Sequence, residues 1–283
     1  MIRLRFVLSN QKKALILLVL FLALYALTKI TVFAYFVFLA LVAAVFLDLL
    51  QPSKGKQQSN AKMARELVTA LVAAVAFWFF LGFVLQTSTP INVITSCSML
   101  PVLDRGDMII LQGGKITVPE ASVNLDLSQA VARSFILTDP DTKLALHGLS
   151  VPFVGQEPAF NFDVKHCTRG STEIMCLESV DVNGAKFRPD NANDVIVFVP
   201  NPVEYGLLIH RAFLKINAAD GVYYMTKGDN NLFPDQLSGI ALVPEKDVQG
   251  KVLLRVPVLG YLKLFLFLQF EEPEHCRLPV LTS

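Results

Sequence analysis

The sequence predicts transmembrane helices at the N-terminus followed by a mainly-β domain, and three observations carry that fold class. Apolar runs crowd residues 1–86, short strand-type runs separated by turn residues fill 87 to about 257, and the residue balance is unusually apolar. Hydrophobic residues make up 53% of the chain and charged residues 17%, which points to lipid as the surroundings of part of it. Net charge is +1 and no basic stripe with interleaved aromatics is present, so nucleic acid is excluded as a partner on electrostatic grounds.

The apolar runs come first. After Arg3, Arg5, Lys12 and Lys13 stand "ALILLVLFLALYALT" (14–28), Lys29 and "ITVFAYFVFLALVAAVFLDLL" (30–50). One span takes about 20 apolar residues at 1.5 Å rise each, so this length predicts a hairpin of two spans turning near Thr28 and Lys29, with one long tilted helix as the alternative. "LVTALVAAVAFWFFLGFVLQ" (67–86) predicts a third span. The intervening 51–66 loop is basic through Lys54, Lys56, Lys62 and Arg65, as is the N-terminus. The positive-inside rule assigns both to the cytoplasm and delivers residue 87 onward to the other side. No small-residue cleavage pattern follows residue 28, which argues against a cleaved signal peptide.

Beyond residue 87 the runs "MIIL" (108–111), "DVIVFV" (194–199), "LLIHRAFLKI" (207–216), "VYYMT" (222–226) and "KVLLRV" (251–256) are rich in β-branched and aromatic residues. Asn183-Gly184 predicts a hairpin turn. Weaker periodicity and more Pro, Gly and Asp mark 115–192 as an insertion or subdomain between two halves of a core, 87–114 and 193–257. The last segment, 258–283, opens on an apolar stretch ("VPVLGYLKLFLFLQF", 256–270) that is short and carries Lys263. It predicts an interfacial helix or a hydrophobic docking edge, with a tail, rather than a further crossing.

Four cysteines are present. Cys167 and Cys176 close a short loop outside the cytoplasm, where a disulfide is the first expectation. A metal site using His166 and these two thiols is the alternative, and it has no evident fourth ligand. Failing both, the thiols are free, and the sequence assigns no partner to Cys97 or Cys276.

The chemistry centres on "ITSCSMLPVLDRGD" (94–107). A serine hydroxyl is inert unless a base removes its proton as it attacks. Of the histidines, only His210 sits in a strong strand pattern, where a structural role is the ordinary reading. Downstream, "VYYMTKGDNNLFPDQL" supplies Asp229 and Asp235, either of which could orient an imidazole, although "GDNN" taken alone is a β-turn.

Taken in order, "SCSMLPVLDRGDMIIL", "NDVIVF", "IHRAF", "TKGDNN" and "VQGKVLLRVPVLGY" resemble signal peptidase I of the archaeal and endoplasmic-reticulum type, over roughly 94–111 and 193–261. The resemblance is to the histidine branch of the family, because His210-Arg211 stands where the bacterial branch has a lysine base. The chain departs from the pattern in carrying Cys97 where a glycine is usual between the serines. It also has Pro234-Asp235 in place of an acidic pair, and the 115–192 insertion and N-terminal hairpin lie outside the match.

The resemblance implies a signal-peptidase-like catalytic domain with Ser98 as nucleophile, His210 as general base, Asp235 as orienting carboxylate and Asp229 as a second functional acid. Ser96 would join the backbone N–H of Ser98 in binding the oxyanion. Met99 and Pro101 would shape a membrane-facing cleft and turn; Lys227, at a strand end before a turn, is read from its place as a solvated charge, with the base of a serine–lysine variant as the alternative. The implied activity is removal of signal peptides from exported preproteins, without cofactor or metal, by an integral membrane protein whose catalytic domain is extracytoplasmic. The cell membrane is favoured over the endoplasmic reticulum membrane. Partners would be the preproteins, the lipid bilayer and the protein-export machinery. The alternatives are a non-catalytic membrane receptor or assembly factor on the same fold, or a serine peptidase acting on other exported proteins.

Overall fold

A computed structural model describes residues 60–128, 131–135, 146–150 and 160–282, with scattered positions between 13 and 40. The chain divides into two units, Met1–Val84 with Val256–Glu272 and Leu85–Arg255 with Pro273–Ser283.

The first unit contains α1 (Asn60–Leu85). Its Val68–Leu85 stretch is apolar on every face, has no buried residue, and is long enough to cross a membrane. The described positions between 13 and 40 are helical. The hairpin expected over 14–50, with its turn and the loop that follows, lies largely outside the described residues. Near the end of the chain, α2 (Tyr261–Leu266) buries Tyr261, Leu264 and Phe265, with the Tyr261 and Phe265 rings stacked at 5.8 Å. It is far too short to span a bilayer. Leu266, Phe267 and Leu268, which follow its buried face, are all at least 60% exposed.

The second unit is mainly β. In chain order its strands are β1 (Ile91–Val93), β2 (Met108–Gln112), β3 (Glu120–Ser122), β4 (Val131–Phe135), β5 (Leu146–Ser150), β6 (Asn161–Arg169) and β7 (Thr172–Val182). There follow β8 (Ala185–Phe187), β9 (Val195–Phe198), β10 (Leu208–Asn217), β11 (Val222–Lys227), β12 (Val243–Pro244), β13 (Val248–Val256) and β14 (Leu281–Thr282). The main sheet has the order β1-β2-β13-β9-β10-β11-β12. The segment expected to be an insertion contributes to it: β3 runs parallel to the end of β10, pairing at Lys215–Asn217 where β9, which pairs at Leu208–Arg211, has already ended. A smaller sheet, β14-β6-β7-β8, is built from that segment and the C-terminus, and β4 and β5 form a separate hairpin.

Local chemistry explains the register. Asn183 and Gly184, at φ 54° and 84°, supply the two positive-φ positions of a tight β7–β8 turn. The β10–β11 register shifts between Ala212 and Leu214, and the consecutive residues Phe213 and Leu214 both join one core. Phe213, Leu214, Ile216, Tyr223 and Met225 of the main sheet meet Phe162, Leu177, Val180 and Val182 of the smaller sheet in one apolar core. Burying side chains of this kind contributes about 1.5–3 kcal/mol each, which fastens the two sheets together. A second core of Ile94, Met99, Leu103, Ile109, Leu111, Val195 and Val197 lies under the serine-containing turn.

Candidate active site

Each end of the site is anchored by a buried neighbour. The serine-containing turn follows β1 and is pinned by Met99, 1% exposed, and Leu103, 3% exposed, in the second core. Met99 is therefore an anchor rather than the cleft-lining bulk expected from the resemblance. Its neighbour Ser98 is left half-exposed at the surface. His210 stands on β10, 6% exposed, and Asp235 opens a short 3-10 turn after β11, 2% exposed.

The three form a hydrogen-bonded line. His210 Nδ1 lies 2.6 Å from Asp235 Oδ2 and His210 Nε2 lies 2.8 Å from Ser98 Oγ. A carboxylate only accepts, so Nδ1 carries the proton it donates to Asp235. In the neutral ring Nε2 is then the acceptor for the Ser98 hydroxyl. Thr226 Oγ1 also donates to Asp235 Oδ2, at 2.7 Å. Gln236, the next residue, accepts from the Thr226 backbone N–H at 3.1 Å and donates to the Ala241 carbonyl, so the turn that holds Asp235 is tied to β11. Neither Thr226 nor Gln236 was singled out from the sequence. The pattern "MTKGDNN" held the first of them, but nothing in it marks a hydroxyl that completes a carboxylate's coordination.

The Ser98 backbone N–H meets no acceptor among the described residues, and Ser96 Oγ sits 3.2 Å from Ser98 Oγ. With the Ser98 proton committed to His210, the Ser96 hydroxyl donates to Ser98 Oγ. Together the free N–H and the adjacent hydroxyl make a donor pair of the kind that binds an oxyanion.

Asp229, expected as a second functional acid, does not touch this line. It takes Nε and Nη2 of Arg211 in a bidentate pair at 2.8 and 2.6 Å. Arg211 Nη1 donates to the carbonyls of Asn191 and Asn193, so every guanidinium nitrogen is engaged while the residue is only 8% exposed. Alternation along β10 explains the separation: His210 and Arg211 are consecutive and face opposite sides of the sheet.

Lys227 pairs in register with Arg211 and shares its face. Both line, with Asp229, a cavity of about 810 Å³. The expectation of a solvated lysine fails here, since Lys227 is 9% exposed. Burial pulls its ammonium down to about 8, against the opposing pull of Asp229 and Asp235. Its Nζ donates to the Gly228 carbonyl at 3.0 Å, and no hydrogen bond joins it to Ser98.

All four cysteines are paired. Cys167 bonds Cys176 across the β6–β7 hairpin, as expected, and Cys97, to which the sequence assigned no partner, bonds Cys276 across a sequence separation of 179. His166 is engaged by Glu173 at 3.0 Å on the exposed surface, and among the described residues no cluster of metal-binding side chains is found.

No family model matches the chain. It is similar to an uncharacterized protein of Methanocaldococcus jannaschii, 25% identical over 184 residues, an alignment that covers 62% of this chain and 83% of that protein.

Proposed function

We propose that the chain is a membrane-bound serine endopeptidase that removes signal peptides from exported preproteins, with Ser98 as nucleophile and His210 as general base. The observation that carries this reading is the unbroken hydrogen-bonded line Ser98–His210–Asp235, joined to a half-exposed hydroxyl and an unpaired Ser98 N–H. In this mechanism His210 Nε2 takes the Ser98 proton as Oγ attacks the scissile carbonyl. The oxyanion is received by the Ser98 N–H and the Ser96 hydroxyl, an effect of about 3 kcal/mol for a fully engaged donor. The imidazolium, steadied by Asp235, protonates the departing amine, and the same ring activates the water that releases the acyl group.

The choice of substrate rests on two further features. The ordered motifs resemble the histidine branch of signal peptidase I, and Ser98 follows closely along the chain from the end of α1, a helix apolar enough to cross a membrane. A signal peptide keeps its apolar stretch in the bilayer and presents a small-residue site at the surface. An extracytoplasmic serine placed soon after a span meets such a site without lifting the peptide from the lipid.

The test is incubation of the full chain in detergent micelles with a preprotein. The expected result is a shortened product with the wild-type chain and none with Ser98→Ala or His210→Ala. Intact preprotein after prolonged incubation with folded wild-type protein would refute the reading and favour a receptor or assembly role.

A further inference from the structure

We propose that the C-terminal tail is a tether that sets the conformation of the nucleophile's own peptide unit, with Asn230 as the positioning residue through which it acts. The proposal rests on the reading of Ser98 as nucleophile. Asn230, 5% exposed, reaches both carbonyls that flank the serine. Its side-chain Nδ2 donates to the Cys97 carbonyl at 3.2 Å, and its backbone N–H donates to the Ser98 carbonyl at 2.7 Å. The Cys97 carbonyl belongs to the same planar peptide as the Ser98 N–H. In a trans peptide those two groups point in opposite directions. Holding the carbonyl therefore aims the N–H that would receive the oxyanion.

Asn230 is in turn held by the tail. The Leu281 N–H donates to its Oδ1 at 3.0 Å, which fixes which end of the amide faces Cys97. Arg169 Nη2 donates to the Asn230 carbonyl at 2.5 Å, and Arg169 is the register partner of Leu281 in the β6–β14 pairing. Thr168 and Thr282 meet through their hydroxyls at 2.7 Å in the same pairing. The ring is closed covalently, because Cys276 at the start of this tail is bonded to Cys97 beside the nucleophile. The tail thus grips the serine-containing turn twice, through sulfur at Cys97 and through Asn230 at its carbonyl. Nothing in this arrangement touches His210 or Asp235.

A bond that only stabilised the fold would change the melting temperature and leave kcat unaltered well below melting. A positioning bond changes kcat. The test measures kcat, KM and Tm on a preprotein substrate for the full chain in detergent micelles, comparing Cys276→Ala, Asn230→Ala and their double variant with a control lacking the other disulfide, Cys167→Ser with Cys176→Ser. Misplacement of a reacting group by about 1 Å costs on the order of a hundredfold, so Cys276→Ala and Asn230→Ala should each lower kcat roughly ten- to a hundredfold with KM little changed. Their effects should be less than additive, since both act on one peptide unit. The control should lower Tm and keep kcat.

Should Cys276→Ala fail to fold, the control chain serves instead: treatment with dithiothreitol reduces only Cys97–Cys276, and kcat should fall on reduction and return on reoxidation. Wild-type kcat in Cys276→Ala, or in the reduced control chain, overturns the tether while leaving Ser98 as nucleophile. Absence of cleavage by the wild-type chain overturns both readings.

Discussion

Asp235 and Asp229 show how two carboxylates a few residues apart take different tasks. Asp235 completes the His210 line, whereas Asp229 neutralises a buried guanidinium. Asp235→Asn should therefore cost turnover, roughly 10⁴-fold where the tautomer of the base is lost, with a small change in melting temperature. Asp229→Asn should do the reverse, destabilising the domain by about 3–5 kcal/mol because Arg211 is left buried and unpaired. Paired measurements of kcat and Tm decide between them, and a folded Asp229→Asn chain as inactive as Asp235→Asn would contradict the assignment. Lys227 gives a pH signature. Its folded value of about 8 lies below the ordinary 10.5, so between those values the unfolded chain binds the proton that the folded chain has released. Stability should consequently rise as pH increases from 8 towards 10.5, by up to about 3 kcal/mol, and the penalty for the buried charge is fully present below 8. Lys227→Met should abolish that slope in denaturant titrations, raise the melting temperature at pH 7 and keep cleavage. Loss of cleavage in a folded Lys227→Met chain would make lysine the base instead.

The turn between β11 and Asp235 is the element on which the site depends most closely. A Cβ on Gly228 would lie 2.8 Å from the Ser98 carbonyl oxygen and 2.7 Å from Asn231 Nδ2. The side chain can shift, but the backbone oxygen cannot move without displacing Ser98. Gly228→Ala should lower kcat tenfold or more in a chain that still melts cooperatively, an effect on the order of 1.4 kcal/mol per tenfold; unchanged kcat would show that the turn has room to spare. The strands that carry these turns were legible in sequence because their β-branched and aromatic runs are dense, and the Asn183-Gly184 turn because its two positive-φ positions suit those residues. The resemblance assigned Asp235 to His210, but the pairing of Asp229 with Arg211 was not legible in the residues. The split between the two carboxylates depends on the alternation that sends Arg211 to one face of β10 and His210 to the other, and on a 3-10 turn after Pro234. The Cys97–Cys276 bond left no local trace either, since a separation of 179 carries no spacing signal and β14 is only two residues long.

On the scale of the whole molecule, the chain joins an apolar helix to a mainly-β unit. The topology proposed from the basic N-terminus and the basic 51–66 loop predicts that a cysteine at position 58 is protected from an impermeant label applied outside. One replacing Arg188, whose side chain is 71% exposed in the β-rich unit, should be labelled. The reverse pattern would invert the orientation and place Ser98 on the wrong side for exported substrates. The central claim is that this serine cuts signal peptides, and N-terminal sequencing of the products from a panel of preproteins and other exported proteins tests it most directly. The account predicts one new N-terminus per preprotein, immediately after a small-residue A-x-A-like site, absent with Ser98→Ala. New N-termini at unrelated bonds of exported proteins, or the same products from Ser98→Ala, would contradict it.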